Sequence, residues 1–418
     1  MYYVYCIRSL LIAAYLFTCG LTWAAQPWPE FRGPTGDGVS TAQHLPVRWS
    51  EDSGIVWKAA IPGKAWSSPV IWNGPVWMTN ATTDGKRLSV LAIDQETGKT
   101  VHDLTVFEID SPQFCHDFNS YASPTPVLES GRLYAHFGSA GTACLDTDTG
   151  TILWSRQDLP CDHFRGPGSS PILHDGLLIV AFDGFDYQYV VALNAKNGQT
   201  VWKTDRNIEY GTDNGDMKKA YATATVLSHG GREQVVVPSA GATIAYDPHS
   251  GKEIWRVNHG GMNASARPLH SNGIIYINTA AGGMGLLAVT PEGRGDITSS
   301  NIVWKSSRGS GTRSSQLLLG NQVVLLSNSG VLSFLNASTG TSQFQKRLKG
   351  EFSASPLLAN DNIYLCNQEG ETSVVSAKEP HDIISVNSLD DGCMASPAVY
   401  DNALFLRTKS HLYRIQNP

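Results

Sequence analysis

Ala143-Cys144-Leu145-Asp146-Thr147-Asp148-Thr149-Gly150-Thr151-Ile152-Leu153-Trp154 is the stretch from which the rest of the chain can be read. Apolar residues lead into an Asp, then Thr-Gly, then a β-prone run ending on Trp154. This predicts two strands joined by a tight turn. Gly150 supplies the positive φ that the turn needs, and Asp146 hydrogen-bonds the turn backbone. Trp154 has the large flat side chain suited to wedging between neighbouring sheets.

The pattern recurs. Ala192-Leu193-Asn194 leads to Asn197-Gly198 and Trp202, and Ala245-Tyr246-Asp247 leads to Ser250-Gly251 and Trp255. Ala92-Ile93-Asp94 leads to Thr97-Gly98, with His102 in place of the Trp. Leu335-Asn336 leads to Thr339-Gly340, with Phe344 in that place. Units also open alike: Ser68-Pro69-Val70, Thr125-Pro126-Val127, Ser170-Pro171-Ile172, Ala224-Thr225-Val226, Arg267-Pro268-Leu269, Ser315-Gln316-Leu317, Ser355-Pro356-Leu357 and Ser396-Pro397-Ala398. Their spacing suits propeller blades, roughly 40–50 residues of four strands each. Proline is tolerated at the first residue of an innermost strand. The expectation is an all-β, eight-bladed β-propeller with four-stranded blades.

The ends complete one another. Gly54 to Ala59 resembles the Trp-bearing outer strand alone, whereas the unit opening at Ser396 runs through Ala403–Arg407 and His411–Ile415 and lacks an outer strand. Joining them closes a ring and leaves no unpaired end. The propeller is therefore expected over residues 54–418. Residues 26–53, with Trp28-Pro29-Glu30-Phe31-Arg32-Gly33-Pro34, are expected to form an ordered arm across the surface.

Residues 1–25 differ in kind. Arg8 is their only charge, Leu10 to Leu21 is nearly all apolar, and Thr22-Trp23-Ala24-Ala25 offers a cleavage site. A secretory signal peptide is expected, with a membrane anchor or a lipid anchor at Cys19 as competing readings. The protein is then exported, to the periplasm or outer envelope, with no transmembrane span after signal removal. Disulfides can form there, and Cys115, Cys144, Cys161, Cys366 and Cys393 remain to form them. Charged residues make up 16% of the 418-residue chain and the net charge is −6, so nothing resembles a nucleic-acid footprint.

Loops joining one blade to the next gather around the axis of a propeller. Trp66, His116, Asn119, Tyr121, His163, Arg165, Tyr221, Asn263, Arg267 and Arg313 fall in these loops and are expected to line a binding face. Cys115-His116-Asp117 and Cys161-Asp162-His163 occupy equivalent loops of adjacent blades. Two Cys and two His could hold zinc or copper; a Cys115–Cys161 or Cys144–Cys161 disulfide, or free thiols, are the alternatives. No metal and no catalytic residue is assigned. No Gly-x-Ser-x-Gly elbow, phosphate loop or dinucleotide fingerprint is present.

The Asp-x-x-Thr-Gly-x-x-x-Trp unit resembles the repeat of pyrroloquinoline-quinone (PQQ) propellers. Those include the quinoprotein dehydrogenases and PQQ-binding-like proteins such as the BamB-type outer-membrane assembly lipoprotein. Trp28 to Pro34, Asn119 to Pro126 and His163 to Pro171 resemble exported bacterial members. The dehydrogenases clamp their quinone with adjacent cysteines and hold calcium with a Glu, an Asn and an Asp. No two cysteines adjoin here, and that calcium set is not recognisable. The resemblance thus implies a non-enzymatic platform for a protein, a peptide or a cell-envelope polysaccharide, without cofactor. The alternative is a quinone- or metal-dependent oxidoreductase.

Overall fold

The structure, a computed structural model, describes residues 26–307 and 311–417. The expected signal peptide lies outside the described residues. Eight sheets form the blades, each built on an antiparallel meander of four strands. The second blade is typical: Val127–Glu129, Arg132–His136, Thr142–Asp146 and Ile152–Arg156, from the axis outward. In the last blade the fourth strand is Ile55–Ala60, paired with His411–Ile415. The sheet of Thr225–His229 gains a parallel edge strand, Gly295–Asp296.

The second and third strands of each blade are buried on both faces. Leu177–Asp183, for example, is buried throughout, because each blade is sandwiched between two others. Apolar clusters accordingly lie between blades, one gathering Val190 and Ala192 of the third with Val235 and Ile244 of the fourth.

The repeated motif is a latch between blades. The Trp154 indole N–H donates to the Ala195 carbonyl of the next blade at 2.9 Å, and its ring lies where a Cβ on Gly198 would stand. Trp57 reaches the Gln95 carbonyl and Gly98, Trp202 the Pro248 carbonyl and Gly251, and Trp304 the Ala337 carbonyl and Gly340. The glycine is needed twice over, since its φ near +70° disfavours any Cβ and the indole fills the space. The turn is less tight than a two-residue hairpin. Gly150 N–H bonds the Asp146 carbonyl, and a register shift follows between Ile152 and Trp154, which aims the indole at its neighbour.

Asp94, Asp146 and Asp247 each accept the backbone and side-chain donors of the residue three places on. For Asp94 the Thr97 hydroxyl bond is the main cause of a lowered pKa, and for Asp146 the Thr149 amide. At Asp247 burial pushes upward, but the Ser250 bonds prevail and the pKa is again lowered. A lowered folded-state value means that the carboxylates contribute stability above the ordinary aspartate pKa of 3.8 and lose it as pH falls through the lowered values. Thermal midpoints should therefore stay level near neutrality and drop below about pH 4. Asp247→Asn should flatten part of that drop. A midpoint independent of pH down to about 3 would contradict this role.

The arm departs from expectation. As far as Ser40 it crosses the axis rather than the surface; beyond that, Thr41, Gln43, His44 and Arg48 are exposed. Trp28 is bridged to Ile71 in the innermost strand of the first blade, and the Pro29 carbonyl accepts the Leu128 amide of the second. Val39–Ser40 then pairs in parallel with the innermost strand of the seventh blade, at Leu358 and Ala359. Trp28 and Arg32 are almost wholly buried. An eight-bladed ring leaves a channel at its centre, and filling it removes the apolar surface of Trp28 from water. Farther on, Trp49 stacks on Tyr364, and Val47 and Trp49 bond Asn387, so the arm also seals the edge of the seventh blade.

Candidate functional site

A belt of hydroxyls surrounds the axis. The Ser68 amide donates to the Thr125 hydroxyl, the Thr125 amide to Ser170, and the Ser170 amide to Thr223. The belt resumes from Arg267 to Ser315, Ser355, Ser396 and back to Ser68, all at 2.9–3.0 Å. The fourth unit thus opens at Thr223, one residue before the expected Ala224. The belt is interrupted where Arg267 stands in place of a Ser or Thr.

Above the belt opens a cavity of about 480 Å³. Phe31 of the arm contributes to its lining, and Trp66, His116, Phe118, Asn119, Arg165, Tyr221, Asn263, Arg313 and Met394 stand around it. Seven of the ten expected residues are therefore there: Trp66, His116, Asn119, Arg165, Tyr221, Asn263 and Arg313.

The other three are elsewhere. Arg267 is buried beneath the cavity, where its guanidinium bonds Glu30 and the Phe31 carbonyl at 2.8 Å each, anchoring the arm. Burial pushes the Glu30 pKa up, against the Arg267 charge. Gly36 lies so close to that guanidinium that a Cβ could not be added. His163 is buried between blades; its Nε2 accepts the Ser139 amide. Burial lowers its pKa to about 4. Tyr121 packs on Gly85 and donates to the Gln113 carbonyl.

The two Cys-His-Asp loops do not assemble a metal site. His116 Nδ1 accepts the Phe118 amide, Cys161 Sγ lies 3.8 Å from His163 Nδ1, and Cys115 Sγ faces the Arg165 carbonyl. Cys115, Cys144 and Cys161 are free thiols, so of the alternatives left open it is the free thiols, not either disulfide, that the structure has.

Charge at the rim is arranged in pairs. Arg165 bonds Asp216 at 3.1 Å, and Asp216 also takes the Lys219 ammonium. Burial alone would raise the Asp216 pKa, but Lys219 and Arg165 outweigh it and hold it low. Arg313 lies over the Phe118 ring, 4.1 Å from its centroid. Three polar atoms of the lining residues have no partner among the described residues: Arg165 Nε, Tyr221 Oη and Asn263 Oδ1. Buried unpaired groups are costly, so these are the atoms an occupant would satisfy.

Sequence reasoning passed over the aromatic rim. Phe114, Phe164 and Phe185 form a ridge, with ring centroids 5.7 Å and 5.3 Å apart; Phe114 and Phe185 are exposed, as is Phe118 in the cavity lining. Phe164 has φ +56°, uncommon for a bulky residue, and its amide is held by Asp162 Oδ1. The signal was present in the loops as Phe114, Phe118 and Phe164, but loop periodicity does not tell which side chains turn outward.

The profile of the family described as outer membrane protein assembly factor BamB matches residues 39–158, 106–230 and 186–417. Among curated proteins, methanol dehydrogenase (cytochrome c) subunit 1 of Methylorubrum extorquens is 31% identical over 158 residues, 31% of this chain and 22% of that protein. BamB of Legionella pneumophila is 21% identical over 243 residues, 58% of this chain and 48% of that protein. Quinohemoprotein alcohol dehydrogenase ADH-IIG of Pseudomonas putida is 26% identical over 196 residues, 43% of this chain and 25% of that protein. The chain therefore spans half or less of the length of the curated relatives it matches. Two solved structures share the fold. BamB from Moraxella catarrhalis has a TM-score of 0.60 at 14% identity, covering 86% of this chain and 99% of that one. Quinohemoprotein alcohol dehydrogenase from Comamonas testosteroni has a TM-score of 0.66 at 12% identity, covering 93% and 80%.

The expectation that the chain takes no cofactor is corrected by these matches, because the proteins it is similar to include a quinohemoprotein alcohol dehydrogenase by name. The cavity offers such a group aromatic walls in Trp66, Phe118 and Tyr221, and the unpaired atoms of Arg165, Tyr221 and Asn263. Among the described residues, no trio of acidic, histidine or cysteine ligands gathers around it. No helix among them is long and apolar enough to cross a membrane. With the family profile matched from Val39 almost to the last residue, across every blade, the chain belongs to the outer membrane protein assembly factor BamB family.

Proposed function

We propose that this protein is exported and works in the cell envelope as a rigid docking platform, engaging a protein partner through the cavity face. The observation that carries the reading is the Phe114–Phe164–Phe185 ridge, whose first two members lie in the loops that supply His116, Phe118 and Arg165 to the cavity. Exposed aromatic patches of this kind mark interaction surfaces, and Arg beside aromatic rings is enriched at binding hot spots. The name of the BamB relatives, an assembly factor for outer-membrane proteins, supports a protein rather than a polysaccharide as partner.

A second reading, a quinone-dependent oxidoreductase, is favoured by the methanol dehydrogenase match and by the unpaired polar atoms at the cavity. One experiment separates the two. A photoreactive residue at Phe118 is expected to cross-link one envelope polypeptide in intact cells. Arg165→Ala with Arg313→Ala should weaken that product at least ten-fold, while the same probe at exposed Val303, on an outer strand, yields none. Absence of a product at Phe118, together with dye reduction by purified protein given PQQ, calcium and an alcohol, would replace the first reading by the second.

A further inference from the structure

We propose that His174, Asp175, Glu233 and His249 form a zinc site joining the third and fourth blades, at the end of the blades opposite the cavity. His174 ends the innermost strand of the third blade, and Asp175 follows it in a two-residue turn with Gly176; both turn residues have positive φ. That turn geometry matches the strand twist and fixes where Asp175 sits. Glu233 lies near the start of the second strand of the fourth blade. His249 lies in that blade's latch turn, where Asp247 Oδ1 accepts its amide.

The four side chains converge. His174 Nε2 lies 3.3 Å from Glu233 Oε2 and 3.8 Å from Asp175 Oδ2. His249 Nε2 lies 3.9 Å and 4.0 Å from the same two oxygens. All four donor atoms are within 4.8 Å of one another. Zinc bonds imidazole nitrogen and carboxylate oxygen at ~2.0–2.2 Å in a tetrahedron, which sets donor atoms roughly 3.3–3.6 Å apart. The nitrogen–oxygen spacings need to contract by roughly half an ångström and the widest donor spacing by up to about 1.2 Å, and three of the four side chains are exposed enough to shift.

Charge points the same way. Two carboxylates face each other, and among the described residues no Lys or Arg pairs with either; their only basic partners are the two imidazoles. Imidazoles balance them fully only when protonated, whereas a divalent cation does so with the imidazoles neutral. The donor set also selects the ion. Calcium takes six to eight oxygens and magnesium an octahedron of oxygens and waters, so two nitrogens and two oxygens at tetrahedral spacing fit zinc better. With four protein donors the site is closed, the arrangement of structural rather than catalytic zinc. Its effect would be to clamp two blades across their seam.

The test uses the full mature chain without an affinity tag, stripped of metal and titrated with zinc chloride by calorimetry. One zinc per chain is expected, with a rise in thermal midpoint that a chelator reverses. His249→Ala and Glu233→Gln should each weaken binding at least ten-fold, and both alter exposed side chains, so folding without metal should persist. Cobalt in place of zinc should give the intense visible absorption of a tetrahedral site. No saturable binding at one equivalent, or equal affinity in the double variant, would overturn the proposal; the latter would mean that the ion is held elsewhere.

Discussion

Replacing Arg206 by Ala is expected to destabilise the protein by about 3–5 kcal/mol, read as a lower denaturation midpoint. Arg206 and Asp183 have no exposed side-chain surface. Two guanidinium nitrogens meet the two Asp183 oxygens, at 3.0 Å and 2.5 Å. A third donates to the Val237 carbonyl of the next blade, and the Ser239 hydroxyl donates to Asp183 at 2.9 Å. Burial disfavours the Arg206 charge, but Asp183 outweighs it, and the pKa lies above the usual arginine value. Truncating Arg206 strands a carboxylate where water cannot reach it, and that, rather than the loss of attraction, is the main cost. The paired change Arg206→Met with Asp183→Leu removes both charges and should recover most of the loss. If the single variant lost less than about 1 kcal/mol, the pair would not hold the third blade to the fourth.

Trp255→Ala should cost a similar amount, about 3–5 kcal/mol, by the same measurement. Trp255 is fully buried, and its ring is the fourth blade's latch. The fifth blade has no Thr-Gly turn to receive it, and the contact is relayed. The indole N–H donates to Gln234 Oε1 at 2.6 Å, and Gln234 Nε2 donates to the Pro291 carbonyl at 2.8 Å. Removing the ring opens a cavity and leaves the Gln234 oxygen unpaired, two penalties that act together. Trp255→Phe keeps most of the volume and should lose clearly less. Equal losses for Ala and Phe would assign the effect to the hydrogen bond alone.

The latch itself was legible in the sequence. Asp146, Gly150 and Trp154 recur at fixed offsets because each has one local job: to bond the turn, to adopt positive φ, or to reach the next blade. Where the Trp is absent, the substitute was less readable. His102 turns back to stack on Trp77 of its own blade, whereas Phe344 meets His381 edge-on. The course of the arm was not legible, since no local pattern says that Glu30 will meet Arg267, far along the chain. Arg267 illustrates the difficulty. It sits in an axial loop like Arg313, yet the missing hydroxyl at that station of the belt leaves its side chain free to reach down to the arm. Of the site, the loops were recoverable and the direction of individual side chains was not, which is why Tyr121 and His163 were misplaced.

The strand Ile55–Ala60 finds its hydrogen-bonding partner in His411–Ile415, at the far end of the chain. During synthesis, the early segment must therefore wait until the ribosome has delivered every blade between it and His411–Ile415. Until then the nascent protein carries two unsatisfied β edges and an unfilled core, the condition under which strands pair wrongly or recruit other molecules. Closure of the ring is thus the last step of assembly, timed by one late pairing.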